Sequence, residues 1–255
     1  MKKVAIMCSA VVMIVAFMGA AFAGGMQSKD MKASTSDLIQ NNYSVGIGYD
    51  YNQQKLEPKS TGWGNGEVKQ NLIYIKGIYT IDDNSEIYLK IGGADLEIKD
   101  GWSDSDFKDG YGFLGVLGIK KTFYQQDDIG IGFFIDGTMY PDYKETKSIS
   151  GTDITAKYED IWDITLGIGI ETKIDAATVY GGPLFYITNA KASVGAGATY
   201  LGQSFTVEST SDYESKGNVG AYVGLDIPLD NGFKINIEIK YKDLVGCSIS
   251  AVKKL

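Results

Sequence analysis

The chain has 255 residues and a formal net charge of -8, from 24 basic and 32 acidic side chains, and every basic residue is a lysine. No histidine is present, which excludes catalytic schemes that need an imidazole base or an imidazole–zinc centre. The acidic balance argues against nucleic acid as a partner, while 32 glycines beside only 4 prolines and 17 tyrosines favour many twisted strands over helices.

Met1-Lys2-Lys3 is a basic start, Val4 to Gly19 an apolar run, and Ala21-Phe22-Ala23 a small-residue exit before Gly24-Gly25. That order predicts a secretory signal peptide over 1–23, cleaved after Ala23, because the run is short for a bilayer span. Cys8 leaves with the signal and Cys247 remains. The mature chain therefore has no internal disulfide and is held by packing and hydrogen bonds. Residues 24–42 are polar and without periodicity, and they read as a mobile leader. No second long apolar run follows, so the mature chain is either soluble or crosses a membrane as strands.

From Tyr43 the pattern has period two. Tyr43, Val45, Ile47, Tyr49 and Tyr51 alternate with Ser44, Gly46, Gly48, Asp50 and Asn52. The next apolar series are Ile73 to Ile81, opposite Tyr74, Lys76 and Thr80, and Ile87 to Ile91, opposite Glu86, Tyr88 and Lys90. Phe113 to Ile119 and Ile129 to Met139 follow. The longest series sets Tyr158, Trp162, Ile164, Leu166, Ile168 and Ile170 against Glu159, Asp163, Thr165, Gly167, Gly169 and Glu171. Val179 to Ile187, Val219 to Ile227, Phe233 to Tyr241 and Cys247 to Ala251 complete ten candidate strands over 43–255. Tight turns at Asp82-Asp83-Asn84, Gln125 to Asp128, Asp175-Ala176-Ala177 and Asp230-Asn231-Gly232 alternate with long polar stretches at 53–66, 99–109, 141–153 and 191–216. That is the layout of an up-and-down transmembrane β-barrel, with short turns on one side and long loops outside.

A soluble β-sandwich also alternates, with its polar face in water. Here the polar face pairs glycine with opposite charges, among them Lys76, Glu86, Lys90, Lys120, Asp136, Glu159, Asp163, Glu171, Lys173, Lys234, Glu238 and Lys240. Such a set suits a narrow barrel lumen filled by ion pairs. Aromatic residues near strand ends form the interfacial girdles that a bilayer calls for. They are Tyr43, Tyr49, Tyr51, Tyr79, Tyr111, Phe123, Tyr140, Tyr158, Trp162, Tyr180, Phe185 and Tyr241. On this reading Leu166 faces lipid and Gly167 the lumen, and a lysine at Thr165 would find a carboxylate partner.

The segment Val179-Tyr180-Gly181-Gly182-Pro183-Leu184-Phe185 and the closing hairpin Phe233 to Leu255 resemble the small outer-membrane β-barrel proteins of Gram-negative bacteria, the OmpA/OmpX-like group. The resemblance covers roughly 43–255 and implies an all-β, antiparallel transmembrane barrel of eight to ten strands, ten favoured. It also implies an outer-membrane location, with membrane lipid, lipopolysaccharide and the barrel-assembly machinery as partners. Two features depart from that group: the chain ends Lys253-Lys254-Leu255 instead of on an aromatic, and ten candidate strands exceed the eight of its smallest members; Pro183 in mid-strand also predicts a bulge.

No catalytic, cofactor-binding or metal-binding residue is assigned, and no cofactor is expected. Barrels that act as proteases, phospholipases or lipid A acyl-modifying enzymes rely on histidine, so the expectation is a non-enzyme. Glu159 and Asp163 form a carboxylate pair of the acid–base kind, but lumenal carboxylates are more often neutralised by lysines. Asp100, Asp104, Asp106 and Asp109 crowd one connection without calcium-loop spacing and read as a solvated acidic loop. Gly195 and Gly197 lack the third glycine and the helix of a dinucleotide fingerprint. The expected function is a structural or surface role through the long loops, with an extracellular ligand for them. The alternatives are a small-solute channel and a soluble periplasmic ligand-binding barrel.

Overall fold

The computed structural model describes residues 42–102, 105–149, 152–200 and 203–255, so the signal peptide and all of the leader but Asn42 lie outside the described residues. Twelve strands follow in order: β1 (Tyr43–Pro58), β2 (Gly66–Asp82), β3 (Ser85–Trp102), β4 (Ser105–Gln126), β5 (Ile129–Met139), β6 (Tyr143–Ile149), β7 (Thr152–Ile174), β8 (Ala177–Tyr200), β9 (Gln203–Ser215), β10 (Val219–Pro228), β11 (Phe233–Lys242) and β12 (Leu244–Lys254). One turn of 3-10 helix, Asp230–Gly232, joins β10 to β11, and Asn231 and Gly232 take positive φ there. An Asn-Gly pair meets that demand at low steric cost.

Every pairing is antiparallel, and β1 pairs with β12 from Ser44↔Lys254 to Tyr51↔Cys247, which closes the sheet on itself. β5 and β6 lie in succession along β7, and β10 and β9 in succession along β8. Each couple is one interrupted stave, so the barrel has the ten staves that the alternation predicts.

The staves are of unequal length. β7 has 23 residues and β8 has 24, whereas β11 and β12 have 10 and 11. About 9–11 residues cross a bilayer as a tilted strand. β11 and β12 thus stop near the membrane surface, and the long staves rise well beyond it. The stretches expected as loops are mostly paired strand: β1 and β2 continue to Leu56↔Gly66, β6 pairs with β7 from Tyr143↔Tyr158 to Ile149↔Thr152, and β8 pairs with β9 up to Tyr200↔Gln203. Their polar composition suggested loops because their outer faces meet water and their apolar residues are few.

Across the membrane the residue distribution is inverted. Ile75 is 61% exposed and Ile170 57% on the outer face, while Asp163 and Glu171 are 3% and 5% exposed inside. A continuous belt of isoleucine, leucine, valine and aromatic residues is incompatible with water as the outer solvent. A bilayer accepts it, and at that level the β1–β12 pairing leaves no open sheet edge among the described residues.

Two local expectations fail. At Asp160, with φ 55, the β7–β8 register shifts between Glu159 and Trp162. A bulge inserts one residue and exchanges the two faces, so Tyr158 is buried inside while Trp162 looks out. At Pro183 no bulge forms. The register with β10 runs unbroken through Ala221↔Pro183, and β7 approaches so closely that a Cβ at Gly182 would lie 2.0 Å from the Ile168 carbonyl oxygen. Glycine at 182 lets the strands close up where proline offers no N–H.

Candidate functional site

The lumen is the place where chemistry-bearing side chains converge. Lys90 meets Asp50 at 3.0 Å, Lys240 meets Glu238 at 2.9 Å and Lys234 meets Asp226 at 2.8 Å. Lys120 lies 3.6 Å from Glu86. Tyrosines complete the set: Tyr74 donates to Asp50 at 2.8 Å, Tyr88 to Asp136 at 3.1 Å and Tyr180 to Glu238 at 3.1 Å. The Lys90 and Lys76 ammonium groups also stand over the Tyr74 and Tyr88 rings, 4.2 and 4.7 Å from the centroids. Buried charges of this kind are tolerable only when paired and hydrogen-bonded.

Lumenal glycines make room for the rings. Gly48 is the cross-strand partner of Tyr74, Gly118 of Tyr88, Gly167 of Phe134 and Gly224 of Tyr180. A Cβ at any of the four would fall 2.2–2.5 Å from that ring. Each ring lies flat across its glycine, covering backbone that would otherwise be bare. The glycine-rich polar face of the sequence has this physical cause.

Above these pairs sits a polar layer. Asp163 accepts from Lys242 at 3.0 Å, from the Thr165 hydroxyl at 2.8 Å and from the Thr188 hydroxyl at 2.7 Å. A lysine at 165 would therefore find that carboxylate occupied instead of gaining it as a partner, and Thr165 is only 2% exposed. Below the layer a chamber of about 60 Å³ borders Lys76, Lys120, Asp136 and Glu171, and beside it lies a space of about 10 Å³. A water needs about 10–15 Å³, so the larger space has room for water among polar partners and the smaller is at the limit for one.

Over the polar layer the hairpins pack into an apolar cap that includes Leu56, Leu96, Phe107, Tyr143, Tyr158 and Tyr213. Phe107 and Tyr158 rings meet edge-on at 4.8 Å, and Tyr213 donates to the Gly64 carbonyl at 3.2 Å. Burial pushes the Tyr158 phenol well above its ordinary pKa. The outer face of this head carries ion pairs where the ring carries its apolar belt: Lys99–Glu67 at 2.9 Å, Lys216–Glu57 at 3.0 Å, and Glu97 between Lys108 at 3.1 Å and Lys69 at 3.4 Å. The hydrogen bond from Lys108 holds the Glu97 carboxyl below the usual range.

The structure separates the expected carboxylate pair. Asp163 points in, while Glu159, beyond the bulge, is 39% exposed on the outside beside Lys157. Of the expected girdle residues, Tyr140, Tyr158 and Tyr180 are interior, the first two packing in the cap and the third in the lumen. Tyr43, Tyr49, Tyr79, Tyr111, Phe123, Phe185 and Tyr241 are exposed outside as expected. Of the crowded aspartates, Asp104 lies outside the described residues. Asp109 is no free loop acid: its carboxylate accepts the N–H groups of Gly110 at 2.7 Å and Lys144 at 2.6 Å. The interior roles of Phe134 and Tyr222 escaped the sequence reading, although their parity with Asp136 and Asp226 marks the lumenal face.

No family model and no curated protein matches the chain. Among solved structures it is similar to Ail, the attachment invasion locus protein of Yersinia pestis, at 18% identity and TM-score 0.30 over 84% of this chain and 97% of that one. It is similar also to the translocator domain of the autotransporter NalP from Neisseria meningitidis, at 12% identity and TM-score 0.43 over 86% and 90%. The outer membrane protease OmpT from Escherichia coli matches at 10% identity and TM-score 0.43 over 89% and 97%. At these identities no residue's role passes from those proteins to this chain. Closed antiparallel pairing, a polar lumen and an apolar exterior make it a β-barrel of the outer-membrane type.

Proposed function

We propose that this chain is a non-enzymatic surface protein of the outer membrane, sealed through its lumen and presenting a folded hairpin head to the outside. The observation that carries this reading is the apolar cap, in which Phe107 is fully buried and Tyr143 nearly so, directly over the polar lumen. Support comes also from the ion-paired lumen, which holds water in small chambers instead of lining a wide pore with unmatched charge. The outer edge of β9 pairs with β1 only over Tyr213–Ser215, and Lys59 reaches no further along it than Asp212. Beyond that point, among the described residues, its backbone has no second strand and suits contact with an extended segment of an external ligand. Membrane lipid and lipopolysaccharide are the partners of the belt, and the barrel-assembly machinery is the partner in insertion. The apolar exterior stands against a soluble periplasmic ligand-binding barrel.

Planar-bilayer recording tests the sealed reading. Purified protein is expected to give no stable single-channel steps. Reproducible steps would overturn it in favour of the small-solute channel, for which the 60 Å³ chamber is the starting cavity.

A further inference from the structure

We propose that the lumen communicates with the outside through the side of its wall, by a latched polar window between β1 and the β11–β12 turn. This goes beyond the sealed resting barrel, because it assigns the route by which water and small polar solutes reach the chamber. β1 pairs with β12 only as far as Tyr51↔Cys247, and with β9 only from Leu56↔Ser215. Between them, Asn52 to Lys55 keep β2 on one side. On the other side the Lys55 carbonyl accepts the Lys216 N–H at 3.0 Å, which leaves Asn52 to Gln54 without a paired strand on that side among the described residues. The cause is stave length: the β11–β12 hairpin turns back at Lys242↔Leu244, too low to follow β1 upward.

The gap opens onto the 10 Å³ space, which is bordered by Asn52, Gln53, Gln54, Lys242, Leu244 and Gly246. Four amides, the Lys240 and Lys242 ammonium groups and the Asp163 carboxylate stand on that border beside Leu244 and Gly246, so water there has hydrogen-bonding partners. Lys240 borders both this space and the larger chamber below, which makes the two spaces neighbours. Opening the cap instead would expose large apolar and aromatic surface, the costlier path.

Asp243 is the latch. It sits in the turn with φ 60, and its carboxylate accepts the Gly217 N–H at 3.2 Å from the facing β9–β10 connection. A Cβ at Gly217 would lie 2.4 Å from the Asp243 Oδ1, so the closure is tight. Releasing this contact lets the turn and the connection part.

The test uses the full mature chain with Cys247→Ala, which removes its native thiol, and Ser248→Cys, a reporter on the chamber wall. The probe is a membrane-impermeant cationic methanethiosulfonate, applied from the outside of oriented vesicles. Asp243→Gly removes the carboxylate and keeps the turn's positive φ. It is expected to raise external labelling about ten-fold, the factor for losing one hydrogen bond to a charged group. Tyr213→Ala, which loosens the cap, is expected to leave the rate unchanged. Heat-shifted migration in detergent gels verifies that each variant is folded. The proposal is overturned if Tyr213→Ala accelerates labelling and Asp243→Gly does not. It is equally overturned if folded Asp243→Gly protein remains unlabelled from outside.

Discussion

The membrane ring and the extramembrane head are built from the same staves with opposite polarity. In the ring Ile75 and Ile170 look outward and Asp163 and Glu171 inward; in the head Leu96 and Phe107 look inward and Glu67 and Lys99 outward. β7 carries both patterns on either side of the Asp160 bulge, with Tyr158 buried above it and Trp162 facing out below. One inserted residue exchanges the faces at the level where the outer solvent changes from lipid to water. A strand has no intrinsic inside; the solvent on each side decides which set of side chains it can bury. The two regions differ in stabilisation accordingly. The head gains from apolar burial as a soluble domain does. The ring gains little from moving apolar groups between lipid and protein, and relies on ladder hydrogen bonds, lumenal ion pairs such as Lys90–Asp50 and the packing of Ile78, Leu114, Val116 and Val252 inside it.

The contrast can be broken from either side. The largest effect is expected from Lys242→Met, which strands Asp163 without its cation inside the barrel. Removing one member of a buried pair costs about 3–5 kcal/mol, and urea titration in lipid vesicles should show that loss for the whole ring. Phe107→Ala deletes a fully buried ring of the cap. A loss of about 3–5 kcal/mol is expected for such a deletion, but confined to the head. Limited proteolysis should then cut the hairpins while the ring remains heat-modifiable. Simultaneous loss of both regions would show that they are one cooperative unit.

Leu166→Arg probes the lipid face and should cost about 2–4 kcal/mol if the residue lies near mid-bilayer. A neutral result in vesicles would place lipid elsewhere and sink the inverted assignment. The smallest effect belongs to the head's outer charges. Glu97→Gln leaves Lys108 and Lys69 without their shared carboxylate, and exposed pairs of this kind contribute about 0.2–1 kcal/mol. The depressed Glu97 pKa makes that contribution present above the ordinary glutamate value of about 4.3, and lost as pH falls through the folded value. Protection factors of the head amides, which remove the slowing of intrinsic exchange in acid, should therefore fall in the parent chain as pH drops below that value, and less so in the variant.

Alternation from Tyr43 onward is enough to find ten staves, the lipid-facing set and most of the lumenal charges, Glu159 and the exposed Lys173 excepted, because side-chain direction along a strand is a local property with period two. Tyr74 and Tyr88 were legible as lumenal on the same ground. The closure of β1 on β12, the exchange of faces at Asp160 and the pairing of Lys242 with Asp163 across 79 positions were not legible. Each depends on which strands become neighbours and in what register. In the sequence the head reads as loops, because polar outer faces look alike in a loop and in a water-exposed strand. Pairing energy between distant segments, which no window along the chain contains, separates the two. The window beside β1 has the same origin: it exists because β11 and β12 are short where β7, β8 and β9 are long, a difference that becomes a gap only when the staves stand side by side.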